Sequence, residues 1–414
     1  MTQNIKKDYF WNSLGVFAQN AISPVLLIVI TRINGIDDAG LFSFTLSLAI
    51  IFWAFSIWGA RTYQVSDVEH KYKAQSYVMV RLLLSGLVLL AAVVFALINQ
   101  YDFEKTALIL ILVVYKIVES VADAVFGILQ IHGKLYLTGR SLVYKAVLGF
   151  GVFVGIEVIT KDLLLASAGF ALAYLLVLFV FDIPRARKLD VVWSTKHLSY
   201  HVTTAIEIIR RCAPIASVIF MSMFALLIPR YFVDLFHPEE IGYFGILAMP
   251  ITAFILLITF IIQPNVVRLS QLFAQKSFQE YRKIINRIIV VIALISLLAL
   301  PVVYFIGPAL LHLIFGLDFE NYRTLLILFV FGAVINAFVT IYINLLTIMR
   351  HFRIQFYTLL LTNVLLVIAC LIVVPMFGLF GSIVLYFSVN VVQLVFLVLA
   401  YQKALRDESR AITT

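Results

Sequence analysis

Residues 355–376 read QFYTLLLTNVLLVIACLIVVPM, and residues 379–401 read LFGSIVLYFSVNVVQLVFLVLAY. Neither segment contains an Asp, Glu, Lys or Arg, and each is as long as the roughly 20 apolar residues that cross a bilayer as a helix. Transmembrane β-strands are only about ten residues of alternating polarity, so continuous apolar runs of this length exclude a β-barrel. The two segments therefore predict two membrane-spanning helices joined by a short turn.

Ten further apolar segments of similar length precede these two, so the sequence predicts about twelve membrane-spanning helices. The whole chain is 63% hydrophobic and 13% charged, whereas soluble globular proteins are about 45–50% apolar and about 25% charged. Such a composition predicts an all-α polytopic membrane protein without a soluble domain of any size. The approximate limits of the ten segments are 10–33, 39–59, 78–98, 105–127, 140–158, 163–183, 213–235, 241–263, 285–306 and 323–347.

The distribution of basic residues predicts the orientation of the spans. Of the 31 Lys and Arg residues, we assign 25 to the two tails and the even-numbered loops, including Arg81 and Lys145 near the starts of the third and fifth spans, and three to the odd-numbered loops. Basic residues of membrane proteins collect on the cytoplasmic side, so we expect both termini in the cytoplasm. The same rule explains the net charge of +9, and we expect no nucleic-acid partner.

The chain divides at its longest loop. We predict an N-terminal lobe of six helices over residues 1–183, a cytoplasmic linker over 184–212 and a C-terminal lobe of six helices over 213–414. The second half of the linker, HLSYHVTTAIEIIRR, has a mild amphipathic pattern. This pattern predicts a helix that lies on the inner membrane surface.

Two short sequences indicate that the lobes are repeats of each other. DDAGLF occupies residues 37–42 between the first two spans, and EEIGYF occupies residues 239–244 between the seventh and the eighth. Each follows an arginine near the end of the preceding span, Arg32 or Arg230. Because each lobe has an even number of spans, both lobes start on the same side of the membrane, and the repeats are expected to be parallel.

The sequence contains no recognisable catalytic apparatus. It has no G-x-x-x-x-G-K-[ST] phosphate loop and no His or Cys cluster with zinc spacing. The predicted external loops are short and leave no room for an outer catalytic domain. We therefore expect a transporter that is not an enzyme and that needs neither a metal nor an organic cofactor.

Three charged residues of the fourth span stand out, because an intramembrane charge costs about 2.5–3.5 kcal/mol and usually faces a cavity. Lys116, Glu119 and Asp123 are spaced i, i+3 and i+7 and share one helix face. One interpretation is a structural Lys116–Glu119 ion pair, which leaves Asp123 without a partner. The other is a polar stripe along a water-filled lumen, where Glu119 or Asp123 binds H⁺ or Na⁺ and couples that ion to transport.

Arg32 and Arg230 lie near the outer ends of the first and seventh spans. In one interpretation they reach to the membrane interface, and Asp234 pairs with Arg230 from one turn away. In the other, the two arginines face each other across a central cavity. Their planar guanidinium groups would then suit phosphate, because each binds two oxygens at once.

Amide side chains form a second set of candidate cavity residues. Asn20 lies in the first span, and Asn336 and Asn344 lie in the tenth. Each either lines the same lumen or donates a hydrogen bond to a neighbouring helix.

Taken together, these features resemble the Wzx-type polysaccharide flippases of the MATE-like multidrug/oligosaccharidyl-lipid/polysaccharide (MOP) exporter superfamily. The resemblance rests on the twelve-span layout, the central linker and the repeated acidic–Gly–aromatic turn. Two shorter patterns support it: Asn12…Pro24…Arg32…Gly40 along the first hairpin, and Gly59-Ala60-Arg61 after the second span. It extends over nearly the whole chain.

The resemblance implies a V-shaped pair of six-helix lobes and a substrate that is an undecaprenyl-diphosphate-linked oligosaccharide. The substrate would move from the inner to the outer leaflet of a bacterial plasma membrane, with its lipid tail in the bilayer and its head group in a basic cavity. Membrane lipids, a polysaccharide polymerase and a chain-length regulator are the other implied partners. The head-group residues would be Arg32, Arg61, Lys116 and Arg230.

Two other functions compete with this one. An ion-coupled MATE-type exporter of small amphipathic cations would have the same fold, and a cavity dominated by carboxylates would favour it. A non-transporting scaffold of the polysaccharide assembly machinery would depend on its loops rather than on its buried charges. Arg32, Lys116 and Arg230 favour the flippase, because an anionic diphosphate needs cationic partners.

Overall fold

The computed structural model describes residues 2–66, 71–190 and 198–410 of the chain. This part of the chain is helical and contains no β-strand, because apolar segments in a bilayer must pair their backbone groups internally. It divides into two compact units, Met1–Phe220 and Met221–Thr414. The predicted all-α fold is confirmed, whereas the limits of the two lobes and the linker remain predictions.

The first unit, which we call the N-terminal unit, contains nearly all of the first nine helices. A short π-helical segment, Leu178–Asp182, continues the seventh helix into the eighth. The helices are α1 (Thr2–Ile33), α2 (Ile36–Ile57), α3 (Ala60–Ser66), α4 (Ala74–Ile98), α5 (Phe103–Ile131), α6 (Leu135–Thr160), α7 (Leu163–Val177), α8 (Ile183–Arg187) and α9 (Leu198–Ser222).

The second unit, the C-terminal unit, contains the remaining helices and two 3₁₀ turns, Pro238–Glu240 and Glu320–Tyr322. The last helix is broken at Gly378, where φ is 49° and ψ is −131°, a conformation that glycine adopts at little cost. The break falls between the two apolar segments 355–376 and 379–401, as predicted. The helices are α10 (Phe224–Phe236), α11 (Ile241–Leu247), α12 (Met249–Ala274), α13 (Phe278–Phe315), α14 (Arg323–Ile348) and α15 (Phe352–Arg410).

Each of the twelve predicted spans lies on helical structure. Among the described residues, eight helices are long and apolar enough to cross a membrane, and a ninth crossing forms if the bent pair α9 and α10 is one span. Three features explain the lower number. α15 counts once although Gly378 divides it, and α5 carries charged residues. α12 includes residues 253, 255–260, 263 and 264, whose side chains lie outside the described part of the structure.

The crossing of α1 and α6 depends on two glycines. A Cβ atom at Gly139 would collide with the backbone of Trp11, and a Cβ atom at Gly15 would collide with the backbone of Gly139. The two helices therefore meet at backbone contact, as small residues permit in membrane proteins. Asp8 of α1 strengthens the crossing, because its Oδ1 accepts a hydrogen bond of 2.7 Å from the backbone N–H of Tyr136 in the first turn of α6.

The first part of α9 is fixed to the loop that precedes α4. The Tyr72 hydroxyl donates a hydrogen bond of 2.8 Å to Oε1 of Glu207, and Arg211 Nε donates one of 2.9 Å to the same oxygen. Burial, together with the neighbouring Glu207 carboxylate, raises the pKa of Tyr72 to about 12. Ala205, Ile208 and Cys212 form the apolar face of this part of α9, and all three are buried in a hydrophobic cluster of the N-terminal unit.

Both units contain the same kind of tie between two turns. In the N-terminal unit, Asn34 Nδ2 donates to the carbonyl oxygen of Lys161 at 3.3 Å, which links the α1–α2 turn to the α6–α7 turn. In the C-terminal unit, Glu240 Oε2 accepts from the backbone N–H of Leu379 at 2.6 Å, which links the α10–α11 turn to the break in α15. Lys161 and Gly378 have φ values of 53° and 49°. This recurrence supports the predicted duplication.

We expect Gly139→Ala to weaken the α1–α6 crossing. The added methyl group has only backbone atoms to displace, and overpacking of this kind costs about 1–3 kcal/mol. The measurement is thermal unfolding of the purified full-length protein in detergent. Gly151→Ala on the same helix is the matched control, because nothing lies within 4 Å of its Cβ position. Equal melting temperatures for the two variants would show that the crossing tolerates a side chain.

Candidate functional site

Helix α5 carries the charged face that the sequence predicts. It begins after Asp102, whose Oδ1 accepts a hydrogen bond of 2.8 Å from the backbone N–H of Lys105 and so caps the helix. α5 then packs against α2, α4 and α7 of the same unit. Lys116, Glu119 and Asp123 are therefore enclosed largely by protein, which is how an intramembrane charge is tolerated.

Glu119 is the centre of a compact group of hydrogen bonds. Lys116 Nζ lies 2.6 Å from Glu119 Oε2, and the Tyr115 hydroxyl donates to Oε1 at 2.9 Å. Gln19 of α1 donates its amide N–H to the same Oε1. The side chains of Lys116 and Glu119 are each 10% exposed, so three donors hold this carboxylate in a mostly buried position.

Aromatic rings surround the ammonium group of Lys116. Nζ lies 4.6 Å from the ring centre of Tyr115 and 5.6 Å from that of Trp53, within range of cation–π attraction. The Tyr174 ring packs edge to face on Tyr115 at 4.8 Å, and its hydroxyl donates to Gln19 at 3.4 Å. The ion pair that one interpretation of the fourth span predicts is therefore present, and aromatic side chains enclose it.

Asp123 binds two arginines, so the expectation that it lacks a partner is wrong. Arg61 Nη1 lies 3.0 Å from Oδ1, and Arg81 Nη2 lies 2.7 Å from Oδ2. Arg61 is on α3 and Arg81 is on α4, so only the tertiary fold brings them to Asp123. The Arg81 side chain is 1% exposed, whereas those of Arg61 and Asp123 are 28% and 21% exposed. Arg61 also donates to Gln130 Oε1 at 2.9 Å.

A buried hydroxyl network joins the helices around this face. Ser56 Oγ lies 2.7 Å from Ser120 Oγ and 3.0 Å from Ser85 Oγ. The three serines belong to α2, α5 and α4. Three of the helices at the charged face are thus connected by hydrogen bonds as well as by apolar packing.

Gly127 of α5 lets α3 approach closely enough to place Arg61. Gln64, which lies one turn after Arg61, is 2% exposed, and its side chain fills the space that a Cβ atom at Gly127 would occupy. Gln64 Nε2 donates to the carbonyl oxygen of Ala124 at 3.4 Å. A side chain at position 127 would displace Gln64 and would disturb the arginine on the same short helix.

The two arginines predicted to face each other lie in different units. Arg32 is exposed in the last turn of α1. Arg230 is 5% exposed on α10, with its Cζ 5.4 Å from the ring centre of Phe244. Asp234, one turn further along α10, is also buried. Their predicted approach across a central cavity remains a prediction.

The asparagines predicted to line a cavity are half-buried and hydrogen-bonded. Asn20 and Asn344 donate to the backbone carbonyl one turn earlier in their own helices, at 2.7 and 2.8 Å. Asn336 of α14 donates to Asn390 Oδ1 of α15 at 2.8 Å. Asn336 therefore takes part in a contact between helices, and the cavity-lining role of all three remains a prediction.

Sequence reasoning missed a second buried ion pair. Lys145 Nζ lies 2.7 Å from Asp182 Oδ2, with side-chain exposures of 1% and 0%. Counting Lys145 and Arg81 among the cytoplasmic loop residues was wrong, because both are buried inside helices. The signal was available, since each lies within a predicted span, where a charge requires a partner.

The charged face as a whole has an excess of positive charge. Arg61, Arg81 and Lys116 stand against the carboxylates of Glu119 and Asp123, which leaves one positive charge unbalanced. Within the described ranges, no group of three or more His, Cys, Asp or Glu is arranged to hold a metal ion. The excess positive charge suits the charged face to binding an anionic group through Arg61, which is the most exposed of the three cations.

No protein-family model matches the sequence. The chain is 24% identical over 325 residues to the capsular polysaccharide biosynthesis protein CapF of Staphylococcus aureus, and the alignment covers 77% of this chain and 80% of CapF.

Several solved transporter structures share the fold. An inward-facing multidrug resistance MATE family transporter of the MOP superfamily gives a TM-score of 0.70 at 14% identity, covering 97% of this chain and 99% of that one. The MATE multidrug transporter DinF-BH gives 0.70 at 16% identity, covering 97% and 96%. The lipid II flippase MurJ in an inward closed conformation gives 0.66 at 12% identity, covering 99% and 90%. The protein is thus a multi-pass membrane protein with the MATE-like fold.

We expect Asp123→Asn to destabilise the N-terminal unit strongly. The substitution removes the negative charge from two arginines, one of them fully buried, and a broken buried ion pair costs about 3–5 kcal/mol. The measurement is the free energy of unfolding of the purified protein in detergent. Arg81→Gln in the same background should restore part of the loss, because it removes the uncompensated buried charge.

Glu104→Gln is the control for this prediction. It removes a carboxylate from the first turn of the same helix, where the side chain is exposed, and it should cost less than about 1 kcal/mol. If Asp123→Asn is no more destabilising than Glu104→Gln, the shared carboxylate does not hold the three helices together.

Proposed function

We propose that the protein is a transporter that flips an undecaprenyl-diphosphate-linked oligosaccharide from the inner to the outer leaflet of a bacterial plasma membrane by alternating access. Three findings support this proposal: the fold shared with MATE transporters and MurJ, the similarity to CapF, and the excess positive charge at the α5 face. The flipped units would be used in polysaccharide biosynthesis, the process in which CapF is described as taking part.

The main observation in favour of an anionic, phosphate-bearing substrate is that Arg61 and Arg81 share Asp123. Arg81 is buried and keeps Asp123 neutralised, whereas Arg61 is 28% exposed. A phosphate oxygen that approaches Arg61 meets a planar guanidinium group able to bind two oxygens at once. Arg61 can exchange the carboxylate for a phosphate without leaving Asp123 unpaired.

The other proposed head-group residues would contribute to binding to different extents. Lys116 contributes less, because Glu119 neutralises it and aromatic rings cover it. Arg32 is exposed at the end of its helix, where it would meet a diphosphate that reaches that end. Arg230 completes the proposed set as the repeat-related residue of the C-terminal unit.

Export of a small amphipathic cation is the second candidate function. The aromatic rings around the Lys116–Glu119 pair, those of Trp53, Tyr115 and Tyr174, favour it, because aromatic faces attract organic cations. A cation would need to displace Lys116 from Glu119 before it reached the carboxylate. This additional step is the reason that we place the cation exporter second.

The remaining parts of the proposal concern the surroundings of the protein. Both termini would lie in the cytoplasm, membrane lipids would enclose the helices, and a polysaccharide polymerase and a chain-length regulator would act on the flipped units. No covalent bond changes in the proposed reaction, so the protein would not be an enzyme and would use no cofactor.

Charge movement provides a driving force for the proposed reaction. A diphosphate carries about two negative charges, and moving each through 100 mV is worth about 2.3 kcal/mol. With the cell interior negative, outward movement of the head group would gain about 5 kcal/mol per 100 mV. H⁺ or Na⁺ coupling through Glu119 or Asp123 would add to this only if one of the carboxylates changes protonation or ligation during the cycle.

We expect Arg61→Gln to lower flipping at least tenfold without unfolding the protein, because Arg81 remains on Asp123. The experiment follows labelled lipid-linked precursor in cells that lack the gene and are supplied with each variant. Arg61→Lys should give an intermediate rate, because its single ammonium group cannot bind two phosphate oxygens in parallel.

Arg187→Gln is the matched control, since Arg187 is an exposed arginine at the end of α8 in the same unit. It should support flipping at the wild-type level. Wild-type flipping by Arg61→Gln would remove Arg61 from the head-group site. Precursor that reaches the outer face in the deletion strain, with no redundant flippase detectable, would overturn the flippase proposal itself.

We also expect the membrane potential alone to drive accumulation of the precursor in the outer leaflet. In proteoliposomes clamped by a potassium diffusion potential, 100 mV should raise that accumulation more than tenfold, because tenfold corresponds to about 1.4 kcal/mol. Glu119→Gln should keep this response. If a pH or Na⁺ gradient without a potential drives the wild type but not Glu119→Gln, Glu119 is an ion-coupling residue instead.

A further inference from the structure

Two adjoining hollows lie at one end of the C-terminal unit, where α13 begins and α15 ends. They have volumes of about 360 Å³ and about 490 Å³, which are typical of sites for small ligands. Arg282 and Asn286 of α13 line both of them. We call the pair the α13 groove.

Every charged residue among the described residues that line the α13 groove is basic. Arg282 and Arg406 line the first hollow, and Lys283 joins Arg282 in the second. Asn286 adds an amide N–H donor to both. Several cationic groups and an amide in one groove are the partners that a phosphate group requires, and arginine binds two phosphate oxygens in parallel.

The α13 groove lies where the polar end of α13 meets its apolar part. Tyr342 and Tyr401 line the first hollow, with ring centres 5.5 Å apart, and tyrosine is enriched at membrane–water interfaces. About 12 Å further along α13 than the first arginine, exposed aliphatic side chains begin at Val290. Leu294 and Leu297 continue the same helix face and are 55% and 66% exposed.

We propose that the α13 groove binds an anionic phospholipid, with the phosphate on Arg282 and Arg406 and one acyl chain along Val290, Leu294 and Leu297. The aliphatic face is the reason that a lipid is proposed rather than a free phosphate ion, because a free ion has no use for it. The groove lies at the end of the helices that is predicted to be cytoplasmic. The ligand is then a resident lipid of the inner leaflet, and its binding does not depend on which substrate the protein carries.

The test uses the purified full-length protein in detergent, with phosphatidylglycerol as the probe. Bound lipid is counted by native mass spectrometry, and the shift in melting temperature is measured against lipid concentration. The wild type should bind phosphatidylglycerol in preference to phosphatidylcholine, and millimolar inorganic phosphate should cause no shift. Arg282→Gln combined with Arg406→Gln should weaken phosphatidylglycerol binding at least tenfold.

Arg353→Gln combined with Lys403→Gln is the matched control. Both residues are exposed at the same end of the same unit, neither is among the residues that line the α13 groove, and the loss of charge is equal. The control should bind phosphatidylglycerol as the wild type does. If phosphatidylglycerol binding weakens equally in the two double variants, the effect depends only on net charge, and the proposed site is overturned.

A conservative pair keeps the proposal testable if the glutamine variant does not fold. Arg282→Lys combined with Arg406→Lys preserves the charge, and it should lose affinity by several-fold, because lysine lacks the bidentate geometry. A shift caused by inorganic phosphate as large as that caused by phosphatidylglycerol would overturn the lipid assignment. Unchanged phosphatidylglycerol affinity in the lysine variant would overturn the bidentate contact with the phosphate.

Discussion

The carboxylate of Asp123, shared between two arginines, is the interaction on which the N-terminal unit depends. Arg81 is 1% exposed, and a charge at that depth in a bilayer protein is tolerated only with a partner. Arg81 belongs to α4, Arg61 to α3 and Asp123 to α5. One carboxylate therefore holds three helices in register. Gln64 fills the space above Gly127 and seats α3 on α5. The position of Arg61, and with it the proposed contact to phosphate, follows from these two contacts.

The same requirement for partners accounts for the arrangement of the helices around α5. Its charged face cannot meet lipid, so α2, α4 and α7 cover it, and serine hydroxyls join α2, α4 and α5 where apolar packing alone would leave polar atoms without partners. The buried Lys145–Asp182 pair fixes α6 to the π-helical segment in the same way. α1 and α6, by contrast, approach each other to backbone contact at their crossing, because Gly15 and Gly139 have no side chains.

Run length and charge were sufficient to predict the helices, since a bilayer leaves few alternatives for an apolar chain. The helical segments, the interruption between residues 376 and 379 and the common helix face of Lys116, Glu119 and Asp123 therefore follow from the sequence alone. By length and apolarity, the described helices provide eight of the twelve predicted crossings, or nine with the bent pair. Spacing within one helix, however, reveals only neighbours on that helix. Arg61 and Arg81 are 62 and 42 residues from Asp123, so the partners of Asp123 followed only from the packing of α3 and α4. Lys145 was misplaced for a related reason: counting charges by loop ignores how deep a residue lies within its span.

Glu119 and Asp123 of α5 are each paired with cationic side chains. These ion pairs bear directly on the choice between an anionic and a cationic substrate. A cation that approaches Glu119 must displace Lys116, and the displaced ammonium group then needs a new partner in a mostly buried position. An anion that approaches Arg61 displaces a carboxylate that still has Arg81. The first exchange leaves a buried charge unpaired, and the second does not. Since an unpaired buried charge is the larger cost, this difference supports the proposed anionic substrate over an organic cation, although aromatic rings surround Lys116.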